Sequence, residues 1–363
     1  MSISKIHAIS FLFNGTSRCF NKNSILNFGW ISRSMSTTMR AVLIRSTGDE
    51  SVLNVETIPV PEISSNQVLV EIHAAGLNPV DTYIREKKFG YDPKLPVVLG
   101  GEAAGKIVKL GKEAEKKYKV NDHVICSLHA PNYGGYAEYV ACDVTDLIPL
   151  THNLSFSQGA AVYVPYFTAY KALVARCKMQ PKELVMVHGA SGGVGVAAVQ
   201  IAKAYGAVVA VSAGSEAGLK LLNDLGADVI VDHREDGHLQ KALAKAGRPG
   251  FDVIFENRAD LNLGSDLAAL GVGGRIAVVG SRGVVEVDPR NFIRTEGTVL
   301  GVHLRKTTPE EFVEFSSALV AGMEKGWLKP VVGKEYSIEE IQKAHSDLIK
   351  AHGAYGKMVL KIR

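Results

Sequence analysis

The sequence predicts an α/β fold in which a doubly wound parallel sheet is inserted into a smaller, mostly β domain. Three observations predict it. Residues 39–150 read as short alternating strands broken by prolines. Residues 155–303 alternate helices with apolar strands. The tail then returns to two amphipathic helices and a closing strand. At 363 residues the chain has room for two domains. The boundaries read as a lead over 1–38, a β domain over 39–160, a parallel-sheet domain over 161–300, and a return to the first domain over 301–363.

Taken in order, "RAVLIRS", "QVLVEIHAAGL", "AAGKIVKLG", "DHVICSL" and "GGYAEYVAC" carry β-branched or alternating apolar residues. Pro59, Pro61, Pro79, Pro93 and Pro96 punctuate them. "SFSQGAAVYVPYFTAYKALVARC" has helical apolar spacing behind Ser155, an N-cap residue. Strand 184–188, helix 194–205, strand 207–212, helix 216–225 and strand 228–232 follow. Further strands are expected at 251–256, 275–280 and 298–303. Strands that alternate with helices make crossover connections, and so a parallel sheet. In the tail, "TPEEFVEFSSALVAGMEKGWL" and "SIEEIQKAHSDLIKA" are amphipathic, the second with a Ser337/Glu340 capping box. "GKMVLKI" reads as the last strand.

The charge is uneven. Residues 1–38 carry Lys5, Arg18, Lys22 and Arg33 and no acid, which equals the net charge of +4 of the whole chain. An acid-free, serine-rich lead of this kind reads as a mitochondrial transit peptide, with a matrix location once it is cleaved. Met35 and Met39 offer internal starts for a shorter cytoplasmic form. The remaining body is neutral and shows no basic stripe, which offers little to nucleic acid. No apolar run approaches the ~20 residues of a membrane span. The four cysteines, Cys19, Cys126, Cys142 and Cys177, lack C-x-x-C spacing and read as buried thiols.

The most informative stretch is "LVMVHGASGGVGVAAVQIAKAYGAVVAVSAGS", residues 184–215. Gly189, Gly192 and Gly195 recur every third position between a strand and a helix. This pattern permits a tight turn, backbone approach to a pyrophosphate, and close packing of helix on strand. The helix N-terminus adds partial positive charge toward the phosphates. An NAD site usually places an acid at the end of the second strand, on the ribose 2′-hydroxyl. Here that strand ends in Ser212-Ala213-Gly214-Ser215. The missing acid favours NADPH. Glu216 is the counter-signal, and also an ordinary first-turn helix acid. Lys220, His233 and Arg234 are the positive candidates, Lys220 reading rather as a surface charge.

Zinc-assisted alcohol oxidation requires Cys, His or carboxylate ligands. "AAGLNPVDTY" and "LGGEAAG" resemble the zinc-binding segments of medium-chain alcohol dehydrogenases, and that resemblance places Asn78 and Gly101 where a ligand cysteine and histidine would stand. No metal site is expected. The motifs "NPVDTYIR", "GGYAEY", "PYFTAYKAL", "VHGASGGVG", "DHRE", "VVGSRG", "DPRNF" and "GMEKGWLKPVVG" resemble the zinc-free quinone reductases of the medium-chain dehydrogenase/reductase superfamily, the group that includes zeta-crystallin. The resemblance covers nearly all of residues 39–363. It implies a GroES-like mostly β catalytic domain, a Rossmann domain, and NADPH in the cleft between them. It assigns Tyr83 to the nicotinamide side and Ser191, Gly192, Gly193 and Val194 to the pyrophosphate. Gly214 and His233 would flank the adenosine phosphate, with Asn262 near the cofactor. Val279, Gly280, Ser281, Arg282, Val302, His303 and Leu304 would follow the nicotinamide half. A homo-oligomer, dimer or tetramer, is also implied. Arg258, Asp260 and His303 depart from the expected pattern.

A quinone or enone acceptor needs a nearby reductant and a dry aromatic slot. Asn78 and Tyr83 are the candidates for hydrogen bonding to its developing oxyanion. Asn78 reads equally as a residue that fixes the Asn-Pro turn. Two alternatives stand beside quinone reduction. Tyr91 suits an NADPH-dependent enoyl-thioester reductase. Other proteins of the resembling group are lens structural proteins or bind AU-rich RNA.

Overall fold

The computed structural model describes residues 37–128, 134–350 and 354–363. The transit-peptide expectation falls almost entirely on 1–36, outside the described residues. The β half contains β1 (Thr38–Ile44), β2 (Asn54–Pro59), β3 (Gln67–Gly76), α1 (Pro79–Arg85), β4 (Val97–Val98), β5 (Glu102–Leu110), β6 (His123–Ser127), β7 (Tyr139–Asp143) and β8 (Leu147–Pro149). β1 lies between β2 and β4 in a three-stranded sheet, while β3, β5, β6, β7 and β8 belong to a seven-stranded one. The five strands read from the sequence are all present.

α2 (Phe156–Gly159), α3 (Tyr163–Tyr170) and a π turn over Lys171–Arg176 then lead into the parallel half. The sequence reads this region as one helix, but it is broken. Pro165 has no N–H to give the carbonyl four residues back, and its ring would clash there. The helix therefore restarts at Tyr163, and the Val164 amide is released to the Glu102 carboxylate at 2.8 Å.

The parallel half contains β9 (Leu184–Val187), α4 (Gly193–Ala204), β10 (Val208–Ala213), α5 (Glu216–Asp224), β11 (Val229–Asp232), α6 (His238–Ala246), β12 (Phe251–Glu256), α7 (Ala259–Ala269), β13 (Leu270–Val278), α8 (Arg290–Thr295) and β14 (Thr298–Gly301). The strand order is β11-β10-β9-β12-β13-β14, and every pairing is parallel. The order reverses between β9 and β12, which opens a crevice at the carboxyl ends of the strands. Both faces are covered. Val185 and Val187 face one apolar cluster, while Leu184 and Met186 face another. Complete burial of each such side chain is worth about 1.5–3 kcal/mol, and the period of two fixes which face each residue takes.

The tail holds α9 (Pro309–Lys325), β15 (Val332–Ser337), α10 (Ile341–Lys350) and β16 (Lys357–Lys361). β16 pairs antiparallel with β3, so the chain does return to the β half. The Ser337 amide donates to Glu340 at 3.0 Å, as the capping box requires. No described helix is long and apolar enough to cross a membrane.

Candidate active site

The glycine turn runs from the end of β9 into α4. Gly189 has φ +57°, a left-handed conformation that favours glycine. A Cβ on Gly195 would lie 2.5 Å from Ala190 Cα, so α4 approaches the turn too closely for any side chain. A Cβ on Gly192 would meet only Ala354 Cβ at 3.4 Å and Gly189 O at 3.6 Å. Gly192 is therefore the open member of the set. It is the N-cap of α4, with Gly193 and Val194 in the first turn, and the buried Ser191 precedes it. An open cradle at a helix N-terminus fits a pyrophosphate.

The other expected cofactor residues follow the carboxyl ends of the neighbouring strands. After β10, Gly214 faces His233; a Cβ there would collide with His233 Nε2. Burial lowers the His233 pKa and keeps the imidazole neutral at pH 7. Arg234 is held by Asp232, with Nε–Oδ1 at 3.0 Å and Nη2–Oδ2 at 2.5 Å. Lys220 is exposed and paired with Asp224 at 3.0 Å, in agreement with its surface reading. Glu216 sits in the first turn of α5 behind the Ser215 cap.

After β13, the Val279 and Gly280 amides both donate to the Glu256 carbonyl, at 2.9 and 3.3 Å. Ser281 Oγ donates to Gly283 O, and the Arg282 amide to Asp260 Oδ1, both at 3.0 Å. The same Asp260 pairs with Arg258 at 2.9 Å, so the two charges unexpected in the sequence satisfy each other. After β14, the Val302 amide donates to Val278 O at 3.0 Å, followed by exposed His303 and half-buried Leu304. Partial desolvation of its ring, then Arg305, Lys306 and Lys171, lower the His303 pKa. Asn262, on α7, turns its amide inward to Glu256 at 3.1–3.3 Å.

The β half supplies α1. Asn78 is its N-cap and Pro79 its first residue, a start signal that the sequence reading passed over. Tyr83 is half-buried on this helix, with Phe89 edge-on at 4.9 Å. Tyr91, in the following loop, carries the Arg305 guanidinium over its ring at 4.8 Å. This contact links the loop after α1 to the segment after β14.

Asn78 is only 2 % exposed. Its amide donates to Gly76 O at 3.2 Å and to Glu102 Oε1 at 3.1 Å, and its carbonyl oxygen accepts from Lys357 Nζ. Lys357 also pairs with Glu102 at 2.7 Å. Sequence reasoning missed Glu102 and Lys357; a glutamate within the apolar "LGGEAAG" was the available signal for the first. Asp81 lies alongside. One of its oxygens accepts from Tyr136 Oη at 2.6 Å and from the Asn78 amide at 3.0 Å, while Oδ1 has no partner among the described residues. Burial raises its carboxyl pKa to about 6.

A second buried group was also missed. His188, at the end of β9, bonds Asp266 Oδ1 at 2.8 Å and lies 3.7 Å from Glu256. Burial raises both carboxyl pKa values and lowers that of the imidazole. Asn257 bonds the His188 carbonyl at 2.9 Å, which ties this group to the loop after β12.

Residues 193–321 match the zinc-binding dehydrogenase family, and residues 64–152 match the alcohol dehydrogenase GroES-like domain. The human quinone oxidoreductase is 44% identical over 323 residues, spanning 89% of this chain and 97% of that protein. The chain belongs to the quinone oxidoreductase family. It is a pyridine-nucleotide-dependent oxidoreductase of the medium-chain dehydrogenase/reductase superfamily. Among solved structures, an NAD-dependent alcohol dehydrogenase aligns with TM-score 0.83 at 29% identity, covering 90% of this chain and 100% of that one. A mycobacterial protein in complex with NADPH aligns with TM-score 0.80 at 25% identity, covering 89% and 100%. The zinc implied by the first family does not fit the donors at the equivalent place. Asn78 presents an engaged amide, Gly101 presents no side chain, and an ammonium group already bridges Asn78 and Glu102.

Proposed function

We propose that this protein is an NADPH-dependent, zinc-independent reductase of quinones and related electron-poor enones. The observation that carries the cofactor preference is the end of β10. No acid stands there, and Gly214 leaves the His233 imidazole beside the place where an adenine ribose would lie. An imidazole N–H can donate to a 2′-phosphate, whereas an acid would repel it. The open cradle at Gly192 and the start of α4 would hold the pyrophosphate. The bound nicotinamide supplies the reducing equivalents.

The protein's own residues bind, orient and exclude water. Tyr83, packed by Phe89, presents the edge of an aromatic slot and is assigned to hydrogen bonding at the acceptor oxygen. Asn78 is assigned to fixing the start of α1, because its amide donors are already engaged. The engaged donors support the turn-fixing role over the oxyanion role for Asn78. A quinone forms a stabilised phenolate and needs no strong acid, so correct placement supplies most of the acceleration. Tyr91 is covered by Arg305 and is assigned to the rim rather than to protonating a thioester enolate.

NADPH oxidation with an ortho-quinone and with an enoyl thioester tests the reading. Quinone turnover with at least ~10-fold higher kcat/KM supports it, a ratio worth about 1.4 kcal/mol of transition-state binding. The reverse order would overturn it in favour of the thioester.

A further inference from the structure

The start of β16 touches both sides of the cleft. The Gly356 amide donates to Ser191 O at 2.7 Å, and Gly356 forms an isolated parallel bridge with Gly192. The next residue, Lys357, lays its stem on the glycine turn; a Cβ on Gly193 would lie 3.1 Å from Lys357 Cδ. Its ammonium then reaches into the β half, to Glu102 Oε1 at 2.7 Å and to the Asn78 side chain. Glu102 is fully buried and also accepts the Val164 amide at 2.8 Å, at the restart of α3. One side chain thus spans the cofactor turn, the cap of the helix that bears Tyr83, and the broken helix between the two halves.

We propose that Lys357 is a positioning residue that sets the separation between the glycine turn and α1, and hence between bound nicotinamide and acceptor. The inference rests on the reductase reading above. A buried ion pair is weak support for stability, since apolar residues of like volume commonly do as well. A charge that joins two functional segments instead specifies their geometry. Misplacement by about 1 Å can cost ~100-fold in rate. Asn78 takes part as the acceptor and donor that turns the ammonium position into the position of the α1 cap.

The test is the double variant Lys357→Met with Glu102→Gln, which keeps the stem and leaves no lone buried charge. The Gly356–Ser191 contact survives in it, so the dissociation constant of NADPH, measured by its fluorescence, is expected to stay within ~3-fold. The rate of quinone reduction is expected to fall ~10- to 100-fold. Amide exchange over α1 (79–85), measured without nucleotide, is expected to accelerate at least ~10-fold while the strands keep their protection. A second double variant, Lys357→Gln with Glu102→Gln, keeps hydrogen-bonding capacity without a lone buried charge and serves if the first does not fold. A rate within ~2-fold of wild type, or weakened NADPH binding with an unchanged rate, overturns the proposal. If the wild type reduces no quinone, the reductase reading fails, and unchanged exchange over 79–85 still overturns the positioning role independently.

Discussion

Two neighbouring glycines should respond in opposite ways to the same methyl group. In Gly195→Ala the new carbon would stand 2.5 Å from Ala190 Cα and 2.5 Å from Gly189 O. Favourable carbon contacts lie at about 3.5–4.0 Å, so the start of α4 must shift by about 1 Å. Overpacking of this kind costs about 1–3 kcal/mol. In Gly192→Ala the nearest atom is Ala354 Cβ at 3.4 Å, and φ is −81°, a value any residue adopts. The stability loss is then limited to the poorer N-cap, about 0.5–1 kcal/mol. The methyl group, however, stands where the phosphate would approach the backbone. The expected cost to NADPH affinity is at least ~10-fold, or about 1.4 kcal/mol. Urea denaturation and fluorescence titration of both variants separate the two effects. Equal destabilisation by both substitutions, or unchanged affinity in Gly192→Ala, would refute the assignment of an open and a closed member.

Two further outcomes concern Asp81 and Arg305. Burial raises the Asp81 pKa from 3.8 to about 6, so its contribution is fully present below the unfolded value and is lost as pH rises through 6. Relative to Asp81→Asn, the wild type is expected to lose about 2 kcal/mol between pH 4 and pH 7, read by denaturation at each pH; a constant difference would count against a buried, proton-holding carboxyl. Arg305→Met removes the cation from the Tyr91 ring, worth about 0.5–1 kcal/mol at a partly exposed site. The KM for the quinone is expected to rise ~2- to 5-fold with NADPH affinity unchanged, and a change confined to NADPH affinity would move Arg305 out of the acceptor rim.

Local signals exposed most of the parallel half. The continuous apolar run of β9 and the glycine spacing before α4 each arise within one short segment, and both appear where expected. The carboxyl-edge placement of Gly214, His233 and the residues after β13 and β14 follows from the strand–helix alternation itself. What the sequence hid depends on distant partners. The helix through Val164 breaks because of Pro165, yet the Val164 amide finds Glu102 on β5, 62 residues away in the chain. Lys357 reads as an ordinary strand lysine until β16 brings it against both the glycine turn and Asn78. The His188–Asp266 bond joins two residues that lie far apart in the chain. α1 was legible in principle from Asn78-Pro79, but the prolines around it were read as strand punctuation.

The most direct measurement is the rate of NADPH and NADH oxidation with one ortho-quinone, before and after exhaustive dialysis against a zinc chelator. NADPH is expected to give the higher kcat/KM, and chelation to leave both rates untouched. A preference for NADH, or activity that disappears with the chelator and returns with zinc, would contradict this reading.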